Sequence, residues 1–215
     1  MRNVVPHLVR RVVIGFGFLV IPAFSGSATA QDCLEVEGRW HEGPPHAVHV
    51  NSGTAYLGSG AAILSIDVSV PSSPSVQGSV HLPGVVWGLA FTSPSILFAA
   101  VGESGLWSLD VSNAASPVEI GFVDTPGEAL GVANEGDYVF VADRQEGLRI
   151  VDVSIPSTPV EVGSVDTPGQ ARGVAVEGNN AFVADYDHGL RLIDISNPSA
   201  PFEVGNLDTP GIASG

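Results

Sequence analysis

Short apolar runs alternate with clusters of Gly, Pro, Asn, Asp and Ser along most of this chain, and from residue 47 onward the alternation recurs in register with itself. Between residues 173 and 211, Gly173 to Val176 is a small, β-branched run. Ala181 to Ala184 follows the turn residues Glu177 to Asn180, Leu190 to Ile195 follows Asp185 to Gly189, and Phe202 to Leu207 follows Asn197 to Pro201. Each run has the length of a strand and is bounded by turn formers, so the pattern predicts four strands per unit. No segment past the first thirty residues has a helical period, and 16 Pro with 26 Gly would interrupt helices. Leu192-Ile193 and Phe182-Val183-Ala184 are apolar on both faces of a strand, which requires a sheet covered on both sides.

Self-comparison gives the period. The Asp of Asp-x-Ser stands at Asp67, Asp110, Asp152 and Asp194, in steps of 43, 42 and 42, and the Gly of Pro-Gly at Gly84, Gly127, Gly169 and Gly211 keeps the same steps. Units 131–172 and 173–214 are identical at 25 of 42 positions. Four antiparallel strands per unit, buried on both faces, with a period just above forty, predict an all-β fold made of β-propeller blades. The alternative, a coiled β-helix, repeats at about half this period. The blades are expected over 47–87, 88–130, 131–172 and 173–214, with the small residues Gly88, Ala90, Gly131, Ala133, Gly173 and Ala175 on inner strands crowded at the axis. Leu34 to Trp40 falls in line with the last strand of a unit and is expected to be a spare outer strand within the N-terminal segment 31–46. Gly215 occupies the first position of a further unit, so the expectation is an open arc of four blades belonging to a ring of five to eight, with C-terminal blades missing.

The strand Gly147 to Ser154, preceded by Val-Ala-Asp at 141–143 and followed by Pro156-Ser157-x-Pro159, resembles the LVIVD repeat of exported bacterial proteins. The resemblance covers residues 47–215. Unit one departs from it, with Leu57-Gly58 in place of Val-Ala-Asp and His81-Leu82 before its Pro-Gly. The resemblance implies a propeller-like fold and a secreted or cell-surface setting, and it supplies no catalytic residues.

Residues 1–30 carry the pattern of an export signal: Arg2, Arg10 and Arg11, an apolar run from Val12 to Phe24, and Ala28-Thr29-Ala30 as the cleavage site. The run is too short, and too broken by Pro22, for a membrane span. Removing the signal leaves five arginines, no lysine and 23 carboxylates, a formal net charge of −18. Such a polyanion repels nucleic acid phosphates and anionic lipid heads, so no nucleic acid partner is expected. Cations or basic protein surfaces are the compatible partners, and the acidity is better explained as keeping an exported protein soluble. The lone Cys33 has no internal disulfide partner, leaving a free thiol, an intermolecular bridge, or a bridge to a cysteine beyond the chain.

Candidate chemistry is sparse. Asp124, Asp166 and Asp208, each opening an Asp-Thr-Pro-Gly, are the candidate Ca²⁺ ligands, but successive blades hold them apart and an Asp before a Pro turn satisfies local donors. Asp185 to Gly189 resembles the start of a calcium loop without its downstream ligands and reads better as a strand-to-strand turn. The Asp-x-Ser aspartates read as caps of their own turns, and His41, His46 and His49 match no metal spacing. Arg149 and Arg191, at equivalent places, are expected to pair with carboxylates. No cofactor and no catalytic residue is assigned.

What varies on the repeated frame is the residue before each inner strand, Trp87, Leu130, Arg172 and Ser214, and the residue after each Pro-Gly, Val85, Glu128, Gln170 and Ile212. Variable side chains on a constant scaffold are where binding specificity sits. Trp87, Glu128, Leu130, Gln170 and Arg172 are therefore the candidate ligand-binding residues. The expected function is a secreted, non-catalytic scaffold presenting loops to a protein or a surface glycan. The alternatives are an exported hydrolase or lyase with its site at the axial mouth, and a structural surface-layer component.

Overall fold

The computed structural model describes residues 11–14, 17–20 and 43–214. The chain divides into two compact units, Met1–His41 and Glu42–Gly215. In the first, β1 (Arg11–Ile14) and β2 (Gly17–Val20) pair antiparallel, Arg11 opposite Val20. The rest of the expected signal, and the spare strand expected over 34–40, lie outside the described residues.

The second unit is built from four antiparallel sheets, each a meander of four consecutive strands, and its described residues contain no helix. Blade 1 holds β3 (Pro45–Asn51), β4 (Thr54–Ser59), β5 (Ala62–Asp67) and β6 (Ser75–His81). Blade 2 holds β7 (Gly88–Ser93), β8 (Ile96–Ala100), β9 (Leu106–Asp110) and β10 (Val118–Val123). Blade 3 holds β11 (Gly131–Glu135), β12 (Tyr138–Ala142), β13 (Leu148–Asp152) and β14 (Val160–Val165). Blade 4 holds β15 (Gly173–Glu177), β16 (Asn180–Ala184), β17 (Leu190–Asp194) and β18 (Phe202–Leu207). The first blade begins at Pro45, slightly ahead of the expected residue 47. Inner strands pack in sequence, β3 beside β7, β7 beside β11 and β11 beside β15, so the blades form an open, propeller-like arc.

Strands apolar on both faces are explained by the interfaces they serve. Leu97 and Ala99 of β8 pack with Tyr56 and Ile63 of blade 1, whereas Phe98 and Ala100 of the same strand pack with Val139, Val141 and Val151 of blade 3. On β12, Phe140 and Ala142 turn the other way, onto Ala181, Val183 and Ile193 of blade 4. Each fully buried aliphatic or Phe side chain contributes about 1.5–3 kcal/mol of transfer free energy, so three such layers hold the arc.

Two glycine positions allow the blades to approach. A Cβ on Gly131 would lie 2.7 Å from the Arg172 carbonyl oxygen, because neighbouring inner strands meet backbone to backbone. Each outer strand carries a bulge and then a glycine, Gly78, Gly121 or Gly163, onto which the Pro-rich turn of the next blade seats its carbonyls. At Gly163 a Cβ would lie 2.0 Å from the Pro198 oxygen. At the equivalent Gly205 nothing among the described residues lies within 4 Å.

The Asp-x-Ser aspartates cap their turns as expected: the Ser69, Ser112, Ser154 and Ser196 amides donate to Asp67, Asp110, Asp152 and Asp194 at 2.8–2.9 Å. The serine hydroxyl and then its amide hold each of these carboxyls below the ordinary aspartate range.

Candidate functional site

Each connection between blades is tied to both of the blades it joins. In the segment from Asp124 to Leu130, the Thr125 hydroxyl donates to Asp143 Oδ1 at 2.7 Å and the Gly127 amide to Asp143 Oδ2 at 2.9 Å, fastening the connection to blade 3. Ala129 exchanges two backbone hydrogen bonds with Gly102 of blade 2, at 3.0 Å each. The next connection repeats the arrangement, with Thr167 and Gly169 on Asp185 at 2.6 and 3.0 Å, and Ala171 bridged to Arg144. The rim at this end of the arc is therefore preorganised.

Behind the rim lie Arg149 and Arg191, on β13 and β17. Arg149 faces Asp143 at 3.8 Å, Glu146 at 3.0 Å, Glu161 at 3.6 Å and Asp166 at 3.6 Å. Arg191 faces Asp185, Glu203 and Asp208 at 3.4, 3.5 and 3.6 Å. Both arginines are buried, and their pairing meets the expectation from sequence. Burial pushes the Asp143 carboxyl up, against the lowering effect of Thr125, Gly127 and Arg149.

In front of the rim is a cavity of about 420 Å³ lined by His46, Trp87, Glu128, Leu130, Arg144, Arg172 and Ser214. Four of the five candidate binding residues, Trp87, Glu128, Leu130 and Arg172, meet here, together with Ser214 from the same set of variable positions. Gln170 does not line the cavity; its Oε1 accepts a hydrogen bond from Arg172 Nη2 at 3.3 Å. The His46 and Trp87 rings lie 4.2 Å apart, tilted by 35°. Arg144 is ion-paired with Glu128, and the Arg172 guanidinium sits 3.9 Å above the centre of the Tyr186 ring.

Arg144 and Tyr186 occupy the left-handed backbone region, with φ of 50° and 51°. Blade 2 has Gly102 at the same place, φ 53°, where a glycine meets no steric penalty. Non-glycine residues there cost about 1–3 kcal/mol each, so the side chains of Arg144 and Tyr186 are retained against that cost, and both build the cavity or brace its arginine.

The candidate Ca²⁺ ligands are not brought together. Asp166 and Asp208 face Arg149 and Arg191, and Asp124 is exposed in blade 2, where Trp107 stands in place of the arginine. Among the described residues no three His, Cys, Asp or Glu side chains gather as a metal site. Asp185 to Gly189 forms the strand-to-strand turn, with the Asp185 carboxylate occupied by Thr167, Gly169 and Arg191. His49 lies on β3 against Phe91, at 5.1 Å between rings, and His41 is outside the described residues. Sequence reasoning missed His46 and Arg144 as cavity residues. Arg144 had a signal, since it fills a turn position where blade 2 uses glycine.

Four four-stranded antiparallel blades, cross-linked by their connections around a mouth of variable side chains, define a β-propeller-like repeat protein. The LVIVD repeat family matches the chain at residues 46–81, 97–125, 126–167 and 168–209, and the chain belongs to that family. Its two C-terminal matches begin near the Pro-Gly turns, so the family's repeat runs from one connection to the next across a blade. No curated protein matches the chain. No helix among the described residues is long and apolar enough to cross a membrane.

Proposed function

We propose that this protein is an exported, non-catalytic scaffold that binds a surface glycan or a protein at the mouth of its arc. The observation that carries the reading is the convergence of Trp87, Glu128, Leu130 and Arg172, from different connections, into one cavity completed by Arg144. A frame repeated almost unchanged places its most varied side chains side by side, which is how a repeat scaffold acquires a binding face. The cavity is of the size that holds small ligands, about 300–1,000 Å³. Export is supported by the N-terminal pattern of Arg10-Arg11, the apolar run and Ala28-Thr29-Ala30.

Hydrolytic chemistry at the same mouth has less support. Glycoside hydrolysis ordinarily needs a pair of carboxylates across the scissile bond. Among the described residues Glu128 is the single carboxylate lining the cavity, and Arg144 holds it as an ion pair. The one lining histidine, His46, is stacked on Trp87.

Binding of the labelled full chain to immobilised cell-surface polysaccharides and to purified envelope proteins tests the proposal. Trp87→Ala and Leu130→Ala should abolish most of the captured signal, while Asn51→Ala and Thr92→Ala, which line a separate cavity of about 190 Å³ between β3 and β7, should leave it unchanged. Equal binding by all five proteins would refute a site at the mouth.

A further inference from the structure

Arg172 differs from the other described arginines in one respect. Arg144, Arg149 and Arg191 each have at least one carboxylate within ion-pairing distance, and among the described residues Arg172 has none. Its side-chain contacts are neutral: Gln170 Oε1 at 3.3 Å from Nη2 and the Tyr186 ring at 3.9 Å. Its Nε is buried and has no hydrogen-bond partner, a property it shares with Arg149 and Arg191. Residues 31–215 carry 23 carboxylates against five arginines, yet among the described residues none pairs with this guanidinium, which lines the cavity. From the reading of the mouth as a binding site, we infer that its ligand is an acidic sugar, whose carboxylate is taken by Arg172 and whose ring lies against Trp87.

The chemistry of the rim selects the class. Peptides commonly bind an exposed sheet edge by adding backbone hydrogen bonds, but here the rim backbone is already used. Gly102 is bridged to Ala129, Arg144 to Ala171 and Tyr186 to Ala213, each pair exchanging both its N–H and its C=O. Recognition is left to side chains: a flat indole braced by His46, the apolar Leu130, and a planar fork of N–H donors. A sugar ring offers an apolar C–H face to the first and a carboxylate to the last. The Tyr186 ring packs against the guanidinium, so less freedom is lost when the carboxylate docks.

The charge of the rest of the molecule narrows the class further. At physiological salt a charge acts over about 8 Å. Within the cavity Glu128 is offset by Arg144 and one carboxylate meets Arg172, whereas a densely charged polymer extending beyond the cavity also meets the field of a chain with a large net negative charge. The ligand is accordingly one with isolated carboxylates on otherwise neutral sugars, such as a uronic acid within a neutral chain, and heparin-like polyanions are disfavoured.

The test uses the ¹⁵N-labelled full chain titrated with methyl β-D-glucuronide, methyl β-D-glucoside, acetate and an acetylated dipeptide ending in a free carboxylate, reading the Trp87 indole N–H. The glucuronide should shift that resonance at least about tenfold more tightly than the glucoside, because a charge-assisted fork is lost with the carboxylate. Arg172→Gln should remove the preference and Arg172→Lys should restore part of it, with thermal unfolding of each variant confirming an intact fold. Equal binding of glucuronide and glucoside, unaffected by Arg172→Gln, would overturn the carboxylate assignment while leaving the mouth as a binding site. Tighter binding of the dipeptide than of the glucuronide would overturn the sugar. Failure of every probe to shift Trp87, with the chain also failing to bind the polysaccharides and proteins above, would overturn the binding reading itself.

Discussion

The Asp-Thr-Pro-Gly connections make a prediction that contains its own control. Thr125 and Thr209 occupy the same place in the repeat, yet Thr125 donates its hydroxyl to the buried Asp143 carboxylate at 2.7 Å while Thr209 is exposed and donates to the Gly211 carbonyl at 2.9 Å. Valine removes the hydroxyl and keeps the shape. Thr125→Val therefore deletes a hydrogen bond to a charged, buried group, a change of about 1.5–3 kcal/mol. Asp143 retains Gly127 and Arg149, so the carboxylate stays buried with two of its partners. Thr209→Val should alter stability by no more than about 0.5 kcal/mol. Urea unfolding followed by tryptophan fluorescence measures the difference, with the slope checked for constancy so that a midpoint shift is a stability change. For a domain of this size a loss of about 2 kcal/mol lowers Tm by about 4–8 °C. Thr167→Val, which removes the 2.6 Å bond to Asp185, is the replicate. If Thr125→Val and Thr209→Val proved equal, the connection would not be fastened through Asp143 and the rim would not be preorganised as described.

Three further outcomes follow from the same geometry. Gly163→Ala should cost about 1–3 kcal/mol by overpacking, since its Cβ would meet the Pro198 carbonyl, whereas Gly205→Ala at the equivalent position should be neutral in the same unfolding assay. Asp143 and the Asp-x-Ser aspartates should act oppositely on the pH profile of stability, measured by urea midpoints between about pH 3 and 7. The raised Asp143 carboxyl contributes stability present at low pH and lost as pH rises through its folded pKa, so Asp143→Asn should flatten that fall. Asp67, Asp110, Asp152 and Asp194, all lowered, contribute stability present above the ordinary aspartate range and lost as pH falls through their folded values, so Asp152→Asn should lessen the acid loss. Asp143→Val alone should cost about 1–3 kcal/mol by leaving the buried Thr125 hydroxyl and the Gly127 amide without their acceptor, while adding Thr125→Leu and Arg149→Trp should recover at least about half of it, as a thermal-unfolding cycle would show.

The fold was legible because a repeat is compared with itself. Strand positions, turn caps, crowded inner glycines and the carboxylate pairing of Arg149 and Arg191 all follow from residues recurring at one period, and each depends on contacts within a blade or between identical neighbours. The cavity was legible in part for the opposite reason: Trp87, Leu130 and Arg172 stand out where the frame stays constant and the side chain does not. Arg144 and His46 escaped because their contributions are tertiary. Arg144 sits in a segment that reads as an ordinary strand-to-strand turn, and only its positive φ and its pairing with Glu128 from the preceding connection bring it to the mouth. His46 is a β3 residue whose ring is used by Trp87 of the next blade, a contact no local pattern announces. The role of Asp143 was hidden in the same way, since its partners Thr125 and Gly127 belong to the preceding connection.

The interface between blades 1 and 2 shows what the polar fastening contributes. There Leu82 replaces the threonine, Val101 the aspartate and Trp107 the arginine, and the three pack in one apolar cluster in which Leu82 and Val101 are buried. The backbone arrangement is preserved: Trp87 donates to the Ala100 carbonyl at 2.9 Å as Leu130 does to Ala142 and Arg172 to Ala184. The same frame thus accepts either chemistry, which is the behaviour of buried ion networks whose net stabilisation is small. What differs is compatibility. A Leu82 connection docked on blade 3 would leave Asp143 without its hydroxyl donor, and a Thr125 connection docked on blade 2 would bury a hydroxyl against Val101 with no acceptor. Either mismatch leaves a buried polar group unsatisfied, at about 1–3 kcal/mol. In a chain whose third and fourth units share 25 of 42 residues, wrong blade order is a real folding hazard. The polar and apolar versions of one contact give the first junction and the later ones different partners, so the connection from blade 1 matches blade 2 and mismatches blades 3 and 4.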